Sequence, residues 1–592
     1  MAGCDSPQSI AYNRRRLPHF SPAESDAEGS IMTMRLRTLG VVAVLVTCSW
    51  QIGGQVRELR PVSDAMLQRP EPGDWLHWRR TLDGWAHSPL NQINTRNAGR
   101  LQLVWGWTLA PGASEPGPVV HDGVMYVAQA SGVVHALDAA SGDLLWEYAH
   151  TFERSPDVSL PSRLRSVAIA ADKVLLATPN AHLVAIDART GKVVWDHTVA
   201  DEKLGYRYTS GPIVAKGKII AGMTGCERFK DDVCFISAHD LQTGRELWRV
   251  STIARPGEPG GDTWGALPLK RRAGGDAWIP GSYDPGTNLV YWSVAQPKPW
   301  ARISRGTDGD ALYTNSTLAI DPDTGKVTWY YQFIPGESHD MDEVFESVLI
   351  DRGGRRSLYK MGKLGILWQL DRATGQFISA HDLGYQTLVD LNTTTGKVTY
   401  RPGMLPKSGE EIEFCPDIQG VRGWHAMSYD PGTGALLIPI HPACQKAAYL
   451  DRVETENLAE PTIYGNNPRY NGYRGGPSSR HPKMPDHAGA LIAMDLDTGR
   501  VRWQFPMRSA PSVSTLTTAG GLAVNGDNDR NLYVHDTATG KVLFQTRLPA
   551  SLDGSAITYS VRGRQYLAVS TEAGARRPGN AIYAFALPDD AR

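Results

Sequence analysis

Seven times the chain writes nearly the same phrase: ALDAASGDLLW (136–146), AIDARTGKVVW (185–195), AHDLQTGRELW (238–248), AIDPDTGKVTW (319–329), QLDRATGQFIS (369–379), AMDLDTGRVRW (493–503) and VHDTATGKVLF (534–544). Each copy has Asp, two further residues, then Ser or Thr and Gly. That is hairpin chemistry: the Asp and Thr side chains bond the turn backbone, and Gly takes the positive φ. An alternating strand precedes each turn, and most have a second strand behind it that ends in Trp. The typical spacing of about 40–80 residues suits one four-stranded sheet per repeat, with insertions. With a degenerate copy near LNTTTGKVTY (391–400), the repeats predict an all-β chain, an eight-bladed β-propeller over residues 74–590 with tryptophan-docking-type repeats. The closing Trp is expected to pack between neighbouring sheets.

The sequence ahead of residue 74 reads differently. Residues 1–31 are polar and mixed, with the run Arg14, Arg15, Arg16, and read as an upstream extension outside the fold. Residues 32–55 carry Arg35 and Arg37 followed by an apolar run from Leu39 to Val46, the pattern of a secretory signal. The run is shorter than the roughly 20 residues a membrane-spanning helix needs. Export to the periplasm is therefore expected, and Cys48, in a poor lipidation context, leaves membrane association open. In an oxidising compartment the four remaining cysteines, Cys226, Cys234, Cys415 and Cys444, favour disulfides, with Cys226 placed to reach Cys234. There is no C-x-x-C-H, so no covalent c-type haem belongs to this chain. The formal net charge of −1 gives no nucleic-acid footprint.

Outside the repeats, the stretch SHDMDEVFE (338–346) crowds Asp340, Asp342, Glu343 and Glu346 together with no basic residue among them. Neighbouring carboxylates repel unless they face water or share a cation. Both readings stay open on the local sequence.

The opening DWLHWRRTLDGWAHSPLNQIN (74–94), the Trp-ending repeats and GGDAWIPGSYDP (274–285) together resemble the quinoprotein alcohol dehydrogenases. The similarity runs from about Asp74 to Leu587. It implies a periplasmic eight-bladed propeller holding pyrroloquinoline quinone (PQQ) and one metal ion, Ca2+ or a lanthanide(III), at its axis. By the matching motifs, Glu115 in SEPGPVV, Arg165 in LRSVA, Thr209, and Thr224, Gly225 and Cys226 of the TGCE turn lie at the quinone. Asp276 and Trp278 of GGDAW join them, with Trp278 as the floor under the ring. Glu227, Gln296 in AQPKPW and Asp340 match the metal ligands, and Asp342 sits where the lanthanide-using branch adds a carboxylate. Asp340 also matches the catalytic base and Lys363 the basic residue that reaches the quinone oxygens. Cys415 and Cys444 match a structural cysteine pair.

These residue types suit the task. A planar quinone wants an aromatic stacking face, its oxygens want cationic donors, and a hard cation wants oxygen ligands. Several positions depart from the family pattern. Ser159 and Leu160 stand where adjacent cysteines are common, Gln296 and Gly423 replace asparagines, and His339 replaces the Trp before the catalytic Asp. Ser512 and Arg577 replace two tryptophans on the substrate side of methanol-oxidising members, which points to a larger or more polar alcohol. The resemblance implies an oxidoreductase that takes a small-molecule alcohol and passes electrons to a separate periplasmic cytochrome c or another acceptor. It leaves monomer and homodimer open. Two other readings remain: a non-catalytic envelope propeller used as an assembly scaffold, and a degenerate relative that binds no quinone.

Overall fold

In the computed structural model, which describes residues 59–591 apart from 111, 113–114, 130–131, 152–162, 452–471 and 573–578, the repeat phrase does what its turn chemistry requires. Asp187 Oδ1 accepts from the Thr190 amide at 2.8 Å and from its hydroxyl at 2.9 Å. Asp240, Asp371 and Asp495 repeat the pattern with Thr243, Thr374 and Thr498.

Eight blades of four antiparallel strands follow one another among the described residues, and the short strand His87–Ser88 adds in parallel to the inner edge of the seventh. In chain order they cover 119–149, 168–198, 213–251, 282–332, 347–382, 428–507, 516–547 and 551–586, numbered here blades 1 to 8. Seven of them carry one copy of the phrase between their third and fourth strands. Blade 8 has three strands from the C-terminal end, and its fourth is Gln102–Thr108 from the opposite end of the sequence. Its hairpin cannot be written contiguously, which is why no eighth phrase exists. The degenerate copy at 391–400 is corrected by the structure: Val389–Leu391 and Val398–Tyr400 form a separate two-stranded ribbon, not a blade.

Blade-to-blade contact is made by the Trp that ends the phrase. Gly191 has φ +72°, and a Cβ there would lie 2.8 Å from Cε3 of Trp146 in the preceding blade. The same face-on contact joins Trp105 to Gly142, Trp195 to Gly244, Trp248 to Gly325, Trp329 to Gly375 and Trp503 to Gly540. The indole N–H also donates across the seam, from Trp146 to Ala188 O at 3.0 Å and from Trp248 to Pro322 O at 2.8 Å. Trp105 belongs to the N-terminal strand of blade 8, so the closing seam uses the same lock. At Gly499 the neighbour is His381 instead.

A second device holds the blades from inside. Residues 62–86 run across the inner strands and bond seven of the eight blades. Val62 bonds Ala171, Gly73 bonds Ser560 and Trp75 bonds Val120, at 2.7, 3.0 and 2.8 Å. The carbonyls of Leu82, Asp83, Trp85 and Ala86 then accept from Tyr283, Leu349, Tyr429 and Thr517 of blades 4 to 7, at 2.9–3.0 Å. Arg79, fully buried, donates to Met427 O and Thr515 O at 2.6 Å each. Disulfides join Cys226 to Cys234 and Cys415 to Cys444, with Cα separations of 5.6 and 4.3 Å, as expected.

Gly191→Ala is expected to destabilise the protein by about 2–4 kcal/mol, combining strain at positive φ with overpacking. In a Trp146→Ala background the added cost should fall, because the overpacking part disappears. Thermal unfolding of the two singles and the double checks this; full additivity would mean the indole does not press on that glycine.

Candidate active site

The innermost strand of every blade is preceded by a loop, and these loops place side chains at a nearly constant offset. Glu115, Arg165, Thr209, Trp278, Glu343, Trp424 and Ser512 each lie three or four residues before the first strand of blades 1 to 7. In blade 8, Asp553 lies four residues before Ile557, where regular pairing resumes after a bulge. Loop-to-loop bonds tie the set together: Gly117 N to Arg165 O at 2.6 Å, Ser555 N to Pro116 O at 3.0 Å, Ser514 N to Gly554 O and Thr515 N to Ala426 O at 2.9 Å. A shared offset in a ring of like blades brings distant sequence positions to one end of the axis.

Arg165 is the hub of one half. Its guanidinium pairs with buried Glu115 at 2.5 Å and donates to the carbonyls of Thr209 and Trp278 at 3.2 and 3.3 Å. It stacks over the Trp278 ring at 4.8 Å and the Trp424 ring at 5.4 Å. Phe345 meets Trp278 edge-on at 5.6 Å and fixes the indole plane. Trp278 and Trp424 are half-buried while the side chains packed around them are buried.

The other half is charged. The stretch 338–346 is not a solvated loop: Asp340, Asp342, Glu343 and Glu346 are all buried. Asp340 and Asp342 share a cation, and that cation is Lys363, whose Nζ lies 3.0 Å from Asp340 Oδ2 and 2.9 Å from Asp342 Oδ2. Asp340 adopts φ +65°, a strained conformation that the surrounding bonds must hold. One of those bonds is donated by the Gln296 side-chain amide to its carboxyl. Burial and the Asp342 charge push the Asp340 carboxyl up to about 8 against the opposing pull of Lys363. Glu346 forms a buried pair with Arg422 and accepts from Met427 N at 2.9 Å. Glu343 has neither carboxyl oxygen hydrogen-bonded, and burial pushes it up to about 8.

Glu227 and Asp276 make a second carboxylate pair. Arg207 lies 3.1 Å from Glu227, and Lys298 Nζ lies 3.6 Å from Glu227 and 3.9 Å from Asp276. Burial pushes Glu227 up, but Arg207 and Lys298 outweigh it and bring the carboxyl to about 2. The TGCE turn is closed by these partners: Thr224 Oγ1 donates to Arg207 O at 2.7 Å, and the amides of Gly225 and Cys226 donate to Asp276 Oδ1 at 2.8 and 3.1 Å. Lys230 donates to Gly225 O at 2.9 Å.

The family described as "Glucose/ethanol/alcohol dehydrogenase, beta-propeller domain", a PQQ family, matches residues 75–381 and 386–567. The chain belongs to the PQQ-dependent alcohol dehydrogenase family. Quinohemoprotein alcohol dehydrogenase ADH IIB of Pseudomonas putida is 33% identical over 537 residues, covering 86% of this chain and 75% of the relative. A lanthanide-dependent methanol dehydrogenase of Methylacidiphilum fumariolicum (strain SolV) is 31% identical, covering 87% of each. Among solved structures, quinohemoprotein alcohol dehydrogenase ADHIIG from Pseudomonas putida HK5 superposes with a TM-score of 0.80 at 29% identity, covering 89% of this chain and 82% of the other. A europium-containing methanol dehydrogenase gives 0.80 at 27% identity, covering 88% and 99%.

The residues here fit the family's quinone. A half-buried indole offers a stacking face, a guanidinium already stacks on it, and Ser512 and Glu343, at the same loop offset, keep buried polar atoms without hydrogen bonds. The metal expectation meets a different arrangement. Among the described residues, Glu227, Asp340 and Asp342 do not gather as a triad with ligand atoms within 4.8 Å of one another. Gln296 turns its N–H, not its oxygen, to Asp340. Four carboxylates (Glu227, Asp276, Asp340 and Asp342) are met by four cations, Arg207, Lys230, Lys298 and Lys363. As arranged, the cluster does not fit an added metal ion.

Sequence reasoning missed Lys298, Arg207, Lys230 and Trp424, and gave Glu343 only as a member of the acidic stretch. Trp424 was legible from the constant offset once the blades were phased; the buried cations had no motif. His339 is fully buried, donating from Nε2 to Met404 O at 2.6 Å and meeting Tyr449 Oη at 3.1 Å through Nδ1. It anchors the loop that carries Asp340. At Gly423 a Cβ would stand 3.2 Å from His441 Nε2, so an asparagine there would require His441 to shift. Ser159, Leu160 and Arg577 lie outside the described residues.

Lys363→Met should cost about 3–5 kcal/mol of stability, because it strands two buried carboxylates. Adding Asp340→Asn and Asp342→Asn should restore most of it. Denaturant unfolding of the single and triple variants decides; a triple variant as unstable as the single would break this account.

Proposed function

We propose that this protein is an exported quinoprotein that oxidises an alcohol, with Asp340 as general base. The observation that carries the reading is the shared offset of Glu115, Arg165, Thr209 and Trp278 on the inner loops, gathered on the Arg165 hub. PQQ held by these residues would supply a hydride acceptor for the alcohol carbon. Trp278 supplies the stacking face and Arg165 the cationic edge, held in place by Glu115. Asp340 takes the hydroxyl proton; a carboxyl held near 8 is a base matched to mildly alkaline conditions. Lys363 steadies the carboxylate before it takes the proton. The net change is alcohol to carbonyl compound: the hydroxyl proton goes to the protein, and the carbon gives up a hydride, which is a second proton with the two electrons to be passed on.

Electrons leave to a separate cytochrome c or a comparable acceptor, since the chain has no C-x-x-C-H. Export is supported by the basic and apolar segment 35–46 and by the two disulfides. Ser512, buried with its hydroxyl unbonded, supports an alcohol more polar or larger than methanol.

Asp340→Asn is expected to lower dye-linked alcohol oxidation by about 10²–10⁴-fold while the protein still binds quinone. Trp278→Ala should weaken quinone binding about tenfold, read from quinone absorbance after gel filtration. Turnover of Asp340→Asn near wild type removes Asp340 from the mechanism. Failure of the wild-type protein to retain any quinone leaves a propeller scaffold instead.

A further inference from the structure

We infer that Lys298 is a resident cation that takes the place of a metal ion in the carboxylate cluster: its ammonium lies beside Glu227, a residue matching one of the family's metal ligands, and the chain holds its site together without an ion. The inference rests on the proposed quinone site for its setting and concerns what sits beside the quinone.

The placement of Lys298 is built into the backbone. The short strand Pro297–Lys298 pairs with Ala273–Gly274, in the register Ala273 to Lys298 and Gly274 to Pro297. At Gly274, φ is +90° and a Cβ would come within 2.5 Å of Gln296 O, so only glycine lets the two segments approach this closely. That approach sets Lys298 beside Asp276, which is two residues beyond Gly274. The lysine is buried, at 6% exposure, and a buried ammonium is tolerated only with counter-charge. Glu227 at 3.6 Å and Asp276 at 3.9 Å supply it. Asp340 and Asp342 act on the same ammonium from the other side of the cluster, and together the four carboxylates hold its proton more tightly than usual against the effect of burial.

An ammonium and a metal ion differ in what they give a site. Lys298 brings one positive charge and up to three N–H donors; a metal ion brings two or three charges and demands six or more oxygens around it. The described cluster matches the first specification. Each of its two carboxylate pairs has a cation of its own, Arg207 for one and Lys363 for the other, and Lys298 adds a second cation to Glu227 and Asp276 while its charge also acts on Asp340 and Asp342. A metal ion entering here would have to expel Lys298 from its buried position.

The test is metal binding by the full-length protein without quinone. Terbium(III) is titrated into wild type, Lys298→Ala and Lys298→Ala/Glu227→Gln, following tryptophan-sensitised luminescence. The expected result is tighter terbium binding by Lys298→Ala than by wild type, by about tenfold or more, with the gain lost in the double variant. Wild type binding one terbium as tightly as Lys298→Ala would overturn the inference. A measurement on wild type alone guards against a variant that fails to fold. Protein purified with calcium or lanthanum present should carry less than one metal ion per chain, and EDTA should leave its melting temperature unchanged. One bound ion per chain, with a melting temperature that falls when EDTA removes it, overturns the inference equally. Quinone retention in EDTA is measured separately. Loss of quinone under every condition counts against the proposed function, while the terbium titration still judges Lys298.

Discussion

The indole-on-glycine contact is the interaction on which the rest of this structure depends. Each repeat turn needs a residue that tolerates positive φ and has no Cβ, and at six of the seven repeat turns the preceding blade supplies a Trp that fills the space so created, with His381 at Gly499. The contact is geometrically narrow, since one methyl group on the glycine would collide with the ring. Repeated from blade to blade, it fixes the step between sheets and so fixes the ring. The closing seam obeys the same rule through Trp105, although that Trp and the other strands of its blade come from opposite ends of the propeller sequence.

A ring of like blades concentrates one loop from each at the same end of the axis. Here those loops carry aromatic, cationic and acidic side chains into a region where most are buried. Burying so many charges is unfavourable unless each finds a partner. The chain meets this with pairs: Glu115 with Arg165, Glu346 with Arg422, Asp340 and Asp342 with Lys363, and Glu227 with Arg207 and Lys298. The inner segment 62–86 closes the remaining backbone bonds, because it offers carbonyls to the inner strands of four consecutive blades. Stability and site geometry therefore share the same contacts.

Membership in the PQQ-dependent alcohol dehydrogenases rests on similarity over most of the chain, and the axis of this protein carries its own variation on that plan. The aromatic and guanidinium half of the site matches what a planar, anionic quinone needs. The carboxylate half is already balanced by protein cations. A basic residue two positions beyond Gln296 makes that difference, and it acts through burial and proximity, not through any motif.

The sequence by itself determined the propeller fold, seven of its blades and most of the seams between them. Those features depend on residues close together in the chain: an Asp–Thr–Gly turn, an alternating strand and a Trp at its end. The individual residues of the quinone half, including Glu115, Arg165 and Trp278, were also legible, because each lies in a short motif that resembles the family's. Tertiary structure alone decided which strand closes the ring, since a blade made from both ends has no local signature. It decided that 391–400 is a ribbon outside the blades. It also decided the fate of the acidic stretch 338–346, whose partners Lys363 and Arg422 come from other segments. Lys298 shows the reason most plainly. In sequence it is one lysine between two prolines, and only the close approach of two strands at Gly274 turns it into a buried counter-ion.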